Sequence, residues 1–293
     1  LIMLWGCGDS EDNRTVYGPT DMSVSLDQAQ TNDTTTGMTN FPPIEVEAGC
    51  DPIQPDVCTF PWPSSFYQAV DETTTTGYRI SIGANSLPPS FVSQEPVSPD
   101  LYSGLDGFGL GSQMYTLIPN VDVSNLPSET NISRSLEASS ALMLVEVNAD
   151  GARQVACWAE LDALETDPAK RVLFINPAEL LKPNRQYIVM LRNLTTLDGS
   201  VAPNSPAFKA LRDSETEGTA IAERQAHFDA LFSILESLNV DRSSITTAWD
   251  FHTASEDSLQ QPVLSLWERA MAEFGENGPP LIIDEIEPFL AED

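Results

Sequence analysis

Few residues in this chain have the type and spacing for covalent, proton-transfer or metal chemistry: Cys7, Cys50, Cys58 and Cys157, with His227 and His252. In Cys50-Asp-Pro-Ile-Gln-Pro-Asp-Val-Cys58, seven intervening residues with two prolines make a short, stiff loop that a disulfide would close. A zinc site competes for the same thiols but needs more ligands, and the chain has no CxxC and no HxxxH. Cys157 lies in an apolar alternation beside Trp158 and reads as a buried free thiol. Asp250 and His252 stand two apart in Trp249-Asp-Phe-His252, so on a strand they share a face and project in parallel, not at each other. His227 sits mid-helix beside Phe228 and reads as a surface or boundary residue. A serine nucleophile would need GxSxG between a strand and a helix, and that pattern is missing. Its nearest approach, Gly109-Leu-Gly-Ser-Gln113, lacks the last glycine. The expectation is a chain with no catalytic residues and no metal ligands of its own.

The carboxylates are too many to be informative in pairs. Asp plus Glu number 44 in 293 residues, so neighbours such as Asp71-Glu72 or Glu160 and Asp162 arise by chance. No cofactor is expected; a structural Ca²⁺ has its best sites at Asp51 with Asp56, or at Asp106 beside Gly107, though no EF-hand spacing supports it. With 14 Lys plus Arg the net charge is −30, which excludes binding to nucleic acid by phosphate neutralisation and to anionic lipid by a polybasic face. No apolar run reaches the roughly 18 residues of a membrane-spanning helix. Trp62, Trp158, Trp249 and Trp267 read as core and helix-packing residues, not as a sugar platform.

The elements that must position these residues follow from periodicity. Tyr78–Ile82 alternates, and a hairpin is expected from 141 to 159 about the turn Asn148-Ala-Asp-Gly151. Val172–Ile175 and Gln186–Leu191 read as a further strand pair, followed by the turn Thr196-Leu-Asp-Gly199. Beyond residue 212 the period changes. Ser214-Glu-Thr-Glu217 has capping-box spacing ahead of a helix over 219–238 carrying Ala222, Phe228, Leu231, Phe232, Leu235 and Leu238. A second helix places Leu259, Val263, Leu266, Ala270 and Phe274 on one face, with Pro262 early in it or kinking it. Residues 246–253 lie between the helices as a strand, and Leu281–Ile286 reads as one more. The fold class expected is mainly β with an α/β C-terminal part: an antiparallel sandwich plus two amphipathic helices.

The N-terminus carries an address. Leu4-Trp-Gly-Cys7, after a short apolar start and before Gly8-Asp-Ser-Glu-Asp12, resembles the lipobox of bacterial lipoprotein signal peptides. The resemblance implies lipidation of Cys7, export, and attachment to the bacterial envelope at the outer membrane or cell surface; the start reads as clipped. Residues 8–49 hold eight acids, one Arg and a Thr-rich run, and read as a disordered tether with a random-coil span of about 35–40 Å.

Several ordered segments resemble a family. They are Cys50-Asp-Pro with Cys58-Thr-Phe-Pro-Trp-Pro-Ser64, Asp106-Gly-Phe108, Cys157-Trp-Ala-Glu-Leu-Asp162, Asn176-Pro177, Arg185-Gln-Tyr-Ile-Val189, Asp198-Gly199, Ser205-Pro-Ala-Phe208, and Ala248-Trp-Asp-Phe251 with Thr253-Ala-Ser255. Over about residues 50–285 the layout is similar to the N-terminal domain of bacterial extracellular, virulence-factor-type lipases, and residues 172–199 resemble a bacterial Ig-like β-sandwich module. The resemblance implies four parts: a signal remnant and lipobox at 1–7, the tether at 8–49, an Ig-like sandwich at 50–212, and a helical segment with strands at 213–293 leading to a hydrolase-like domain beyond. On that reading the chain is an accessory region with the downstream domain as its partner in cis. The alternative is a stand-alone surface binding or adhesion lipoprotein.

Overall fold

The structure is a computed structural model that describes residues 44, 47–83, 86–275 and 278–279. Cys7, the tether up to residue 43 and the strand expected at 281–286 lie outside the described residues. The strands in chain order are β1 Gln68–Val70, β2 Tyr78–Ile80, β3 Met114–Leu117, β4 Leu142–Asn148, β5 Gly151–Val155, β6 Cys157–Leu161, β7 Val172–Pro177, β8 Gln186–Arg192 and β9 Ile245–His252. The α-helices are α1 Pro206–Asp213, α2 Gln225–Ser237 and α3 Glu256–Phe274.

The strands form antiparallel sheets in the orders β5-β4-β8-β9, β3-β7-β6 and β1-β2, so the fold is mainly β as expected. In the four-stranded sheet β4 and β8 are buried on consecutive residues, Leu142–Glu146 and Tyr187–Arg192. A strand reads as an unbroken apolar run only when both faces are covered. In the three-stranded sheet burial alternates: Met114, Thr116, Cys157, Ala159, Leu173 and Ile175 point inward, with Tyr115, Trp158, Phe174 and Asn176 on the other face. One hydrophobic cluster joins the inward residues of both sheets to Phe208, Phe228 and Phe232 of the helices.

Four expectations are corrected. The hairpin of 141–159 is real only to Val155; the chain then leaves the sheet at Ala156 and β6 pairs with β7 instead. Gly151, at φ 129°, closes that hairpin turn in a backbone region that disfavours a side chain. Val172–Ile175 and Gln186–Leu191 do not pair with each other: β7 lies between β3 and β6, and β8 between β4 and β9. Ser214 does not open a helix. It closes α1 in the left-handed conformation, φ 59°, and α2 begins only at Gln225. Helix α1 itself follows Ser205, whose hydroxyl accepts from Phe208 N, with Pro206 in the first turn. Finally, the four-stranded sheet runs across the boundary expected between residues 212 and 213, because β9 pairs along the whole of β8.

Candidate functional site

The sequence between the disulfide and β1 is held in a fixed path. Cys50 and Cys58 are bonded, as their spacing implies, and the chain continues through cis peptides at Phe60-Pro61 and Trp62-Pro63. Ser64 then caps a single 3₁₀ turn, Ser65–Tyr67, by accepting from Phe66 N at 3.2 Å. That turn lays Ser65 against β9. Trp249 Nε1 donates to Pro63 O at 2.8 Å from the neighbouring position on the strand, so two consecutive side chains of β9 both hold the 60s segment.

Asp250 is the centre of the resulting polar cluster. Its side chain is 2% exposed, and three groups from three elements reach it: His227 Nε2 of α2 lies 2.7 Å from Oδ1, Ser65 Oγ donates to Oδ1 at 2.7 Å, and Gln186 Nε2 of β8 donates to Oδ2 at 2.6 Å. Burial pushes the Asp250 carboxyl up, yet the hydrogen bond and charge of His227, with Ser65 and Gln186, outweigh it and hold it below its ordinary range. The hydrogen bond to Asp250 raises His227 above 6.5 against the opposing effect of burial. Both shifts favour the imidazolium–carboxylate form of the pair.

Serine, histidine and aspartate together invite comparison with a hydrolase triad, and the wiring differs. A triad places the imidazole between the two, one ring nitrogen on the hydroxyl and the other on the acid. Here the same nitrogen, Nε2, faces both, at 2.7 Å from Asp250 and 3.5 Å from Ser65 Oγ. Ser65 donates its hydrogen bond directly to the carboxylate, whose low pKa makes it a weak base. Clefts of about 220 and 350 Å³ open elsewhere, the first at Ile53, Pro119 and Thr246 and the second at Asp71, Arg79 and Asp100. The cluster ties α2, β8, β9 and the 60s turn together.

His252 shares the face of Asp250, as the strand period requires, and does not touch it. Its ring stacks on Tyr78 at 4.3 Å between centroids and 28° between planes, and its buried Nδ1 has no hydrogen-bond partner among the described residues. Burial lowers its pKa, so it is a neutral ring packed against the β1-β2 hairpin. Sequence reasoning missed the His227–Asp250 pair because 23 positions and a loop separate a helical residue from a strand residue.

The two calcium candidates are engaged by protein donors. Asp51, fully buried, accepts from Arg224 Nη1 at 2.6 Å, Ile53 N at 3.2 Å and Ser64 Oγ at 3.2 Å. Asp106 accepts from Ser255 N at 3.0 Å and Ser255 Oγ at 2.6 Å, while Asp56 is exposed. Among the described residues no group of three or more His, Cys, Asp or Glu comes together as a metal site. Cys157 is free and buried, and burial pushes its thiol up to about 12. Another buried carboxylate, Glu146 of β4, is matched by Arg153 and by Lys182 Nζ at 3.0 Å.

One element leaves its apolar face open. Ser255 caps α3 by accepting from Ser258 N, and Pro262 lies inside the helix, yet none of its 19 residues is buried. Val263, Leu266, Trp267 and Phe274 are 67, 65, 60 and 42% exposed. Trp267 is therefore not a packing residue in this chain, and Trp158 is only half-buried; Trp249 alone of the four indoles belongs to the fully buried core.

No family model and no curated protein matches the chain.

Proposed function

We propose that this chain is a lipid-anchored, exported accessory region, non-catalytic by itself, that docks a hydrolase-like domain of the same protein. The observation that carries the reading is α3: a capped 19-residue helix with no buried residue and a row of large exposed apolar side chains. Pro262 removes a backbone hydrogen bond from the interior of this helix, and most helical stability in proteins comes from packing an amphipathic face. Exposed apolar patches of this kind mark contact surfaces. The Cys50–Cys58 bond supports export, since such bonds persist in oxidising compartments. The wiring of Ser65, His227 and Asp250 supports a structural role for the groups most like a catalytic site.

Lipidation at Cys7 would hold the folded part at the envelope through the acidic segment that follows. The second reading, a stand-alone surface binding lipoprotein, is favoured by an open groove beside Trp158. The reading frame beyond Asp293 separates the two. A GxSxG segment there, and mass-spectrometric detection of an acylated Cys7 in the expressed precursor, are the results expected. A stop codon directly after Asp293 overturns the accessory reading in favour of the second. So does ester turnover by purified residues 41–293 that is lost in Ser65→Ala and His227→Ala, this time in favour of an enzyme.

A further inference from the structure

Trp158 lies on β6, an edge strand of the three-stranded sheet, on the face turned away from the core. Trp158 is half-buried there, and a large aromatic side chain that stays partly exposed on a sheet edge is a candidate contact for a partner. Directly opposite Trp158 across the ladder is Asn176 of β7, and Gln113, the residue just before β3, reaches Asn176 from the other side. These residues line a cleft of about 340 Å³ walled by Gly111, Pro177, Glu179 and Leu180.

The polar groups of the cleft form a chain of planar amides and a carboxylate. Gln113 Nε2 donates to Asn176 Oδ1 at 2.6 Å, and Asn176 Nδ2 donates to Glu160 Oε1 at 3.0 Å. Each bond fixes the plane of its partners. It also leaves Gln113 Oε1, one hydrogen on each amide and the second Glu160 oxygen available, two donors flanked by two acceptors. A hydroxyl both donates and accepts, so neighbouring hydroxyls on one ring match such a row. The Trp158 ring beside it offers an electron-rich face to the weakly positive C–H groups of a sugar ring.

From this juxtaposition we propose that the outer face of β3-β7-β6 is a binding site for uncharged glycan, with Trp158 as the stacking platform and Gln113, Asn176 and Glu160 as the hydroxyl-reading row. The charge of the chain decides the class of glycan. A net charge of −30, with Glu160 hydrogen-bonded to Asn176 beside the cleft and Glu179, paired with Arg153, in its wall, disfavours uronic-acid and sulfated polymers and leaves neutral ones. The proposal stands apart from the accessory reading, since α3 contributes nothing to the cleft.

The test is affinity electrophoresis and titration calorimetry of the whole chain against cellohexaose, chitohexaose, laminarin and soluble starch, with alginate as the charged comparison. Binding to at least one neutral probe is expected, little changed between low and high salt, together with no binding to alginate. Trp158→Ala should weaken that binding at least tenfold, and Gln113→Ala and Asn176→Ala several-fold each. Gln113 is exposed, so its variant leaves the fold intact and remains informative if Trp158→Ala fails to fold; thermal melting identifies that case. Failure of all four neutral probes at millimolar concentration overturns the proposal. So does binding that survives Gln113→Ala and a folded Trp158→Ala unchanged, or a cleft that takes up an extended peptide in preference to every glycan. The gene's reading frame, which tests the accessory reading, has no bearing on these outcomes.

Discussion

Arg224 donates to both carboxylate oxygens of Asp51, at 2.6 and 3.4 Å, across 173 positions of sequence. The same guanidinium lies 5.2 Å from the ring centroids of both Phe66 and Phe228. One side chain thus joins the disulfide loop, the 60s turn and the start of α2. Asp51 is fully buried, so removing its cation leaves an uncompensated charge in the interior, which costs about 3–5 kcal/mol. Arg224→Ala should lower stability by about 3 kcal/mol in urea unfolding. Arg224→Lys should recover only part, since a point charge replaces a planar fork that also stacks on two rings. A loss below about 1 kcal/mol for Arg224→Ala would show that the pair is incidental to the fold.

The His227–Asp250 pair predicts a pH window. His227 has a folded pKa above its unfolded value of 6.5, so its contribution is complete below 6.5 and is lost as pH rises through the folded pKa. Asp250 has a folded pKa below its unfolded value of 3.8, so its contribution is present above 3.8 and is lost as pH falls through the folded pKa. Asp51 and Arg224 also act on the His227 ring, with opposite signs. The difference in stability between the parent chain and His227→Gln should be largest between pH 4 and 6.5, at about 1 kcal/mol, since the His227 side chain is 44% exposed and partly screened. Melting curves at pH about 5.5 and about 9 check this. A difference that grows at the higher pH would contradict the assignment.

What was legible in the sequence was whatever depends on neighbours in the chain. The Cys50–Cys58 loop, the turn at Asn148–Gly151, the strand at residues 245–252 and the helical period of α2 and α3 are all local patterns. The sheet partners were not legible, because β4, β8 and β9 are buried on both faces and an unbroken apolar run carries no face to set its register. Helix α1 escaped because 8 residues give barely two turns of periodicity; its signal was Ser205-Pro206, a cap followed by proline. The polar cluster at Asp250 is assembled from Ser65, Gln186 and His227, three places that only the fold brings together.

Asp106-Gly-Phe108 and Thr253-Ala-Ser255 stood out in the sequence as separate segments, and the structure makes them partners. Phe108 N donates to His252 O and Ala254 N donates to Phe108 O, while Asp106 takes both donors of Ser255. Between them, a Cβ on Gly107 would stand 2.5 Å from Ala254 N and from Thr253 C. Both are backbone atoms and neither can turn aside, so Gly107→Ala must separate the two segments. It should destabilise by about 2–3 kcal/mol, whereas Gly104→Ala, with open space around it, should change stability by less than about 0.5 kcal/mol. Equal effects at the two positions would count against this account.

The disulfide closes a loop with a sequence separation of 8 and sits beside Asp51. The chain-entropy model gives about 2–3 kcal/mol for a loop this short. Cys50→Ser with Cys58→Ser should lower unfolding stability by that amount, and reduction of the parent chain should give the same shift. Cys157, buried with a thiol pushed up to about 12, should resist alkylation until the chain unfolds. Rapid labelling of Cys157 in the native chain would contradict its placement.

Helix α3 makes the sharpest separation between folding and docking. Because Leu266 and Trp267 are 65 and 60% exposed, replacing both with Ser removes no core contact. The double variant Leu266→Ser, Trp267→Ser of residues 41–293 should melt within about 0.5 kcal/mol of the parent. It should also bind less of a dye that reports exposed apolar surface. If α3 serves as a docking face, the same double variant in a longer chain carrying the proposed hydrolase-like domain should separate the melting of the two parts. Joined domains stabilise each other through their contact and melt together; once the contact is lost, each melts at its own temperature. Unfolding of the 41–293 chain by the double substitution would place these side chains in its own core and remove the observation on which the docking role rests.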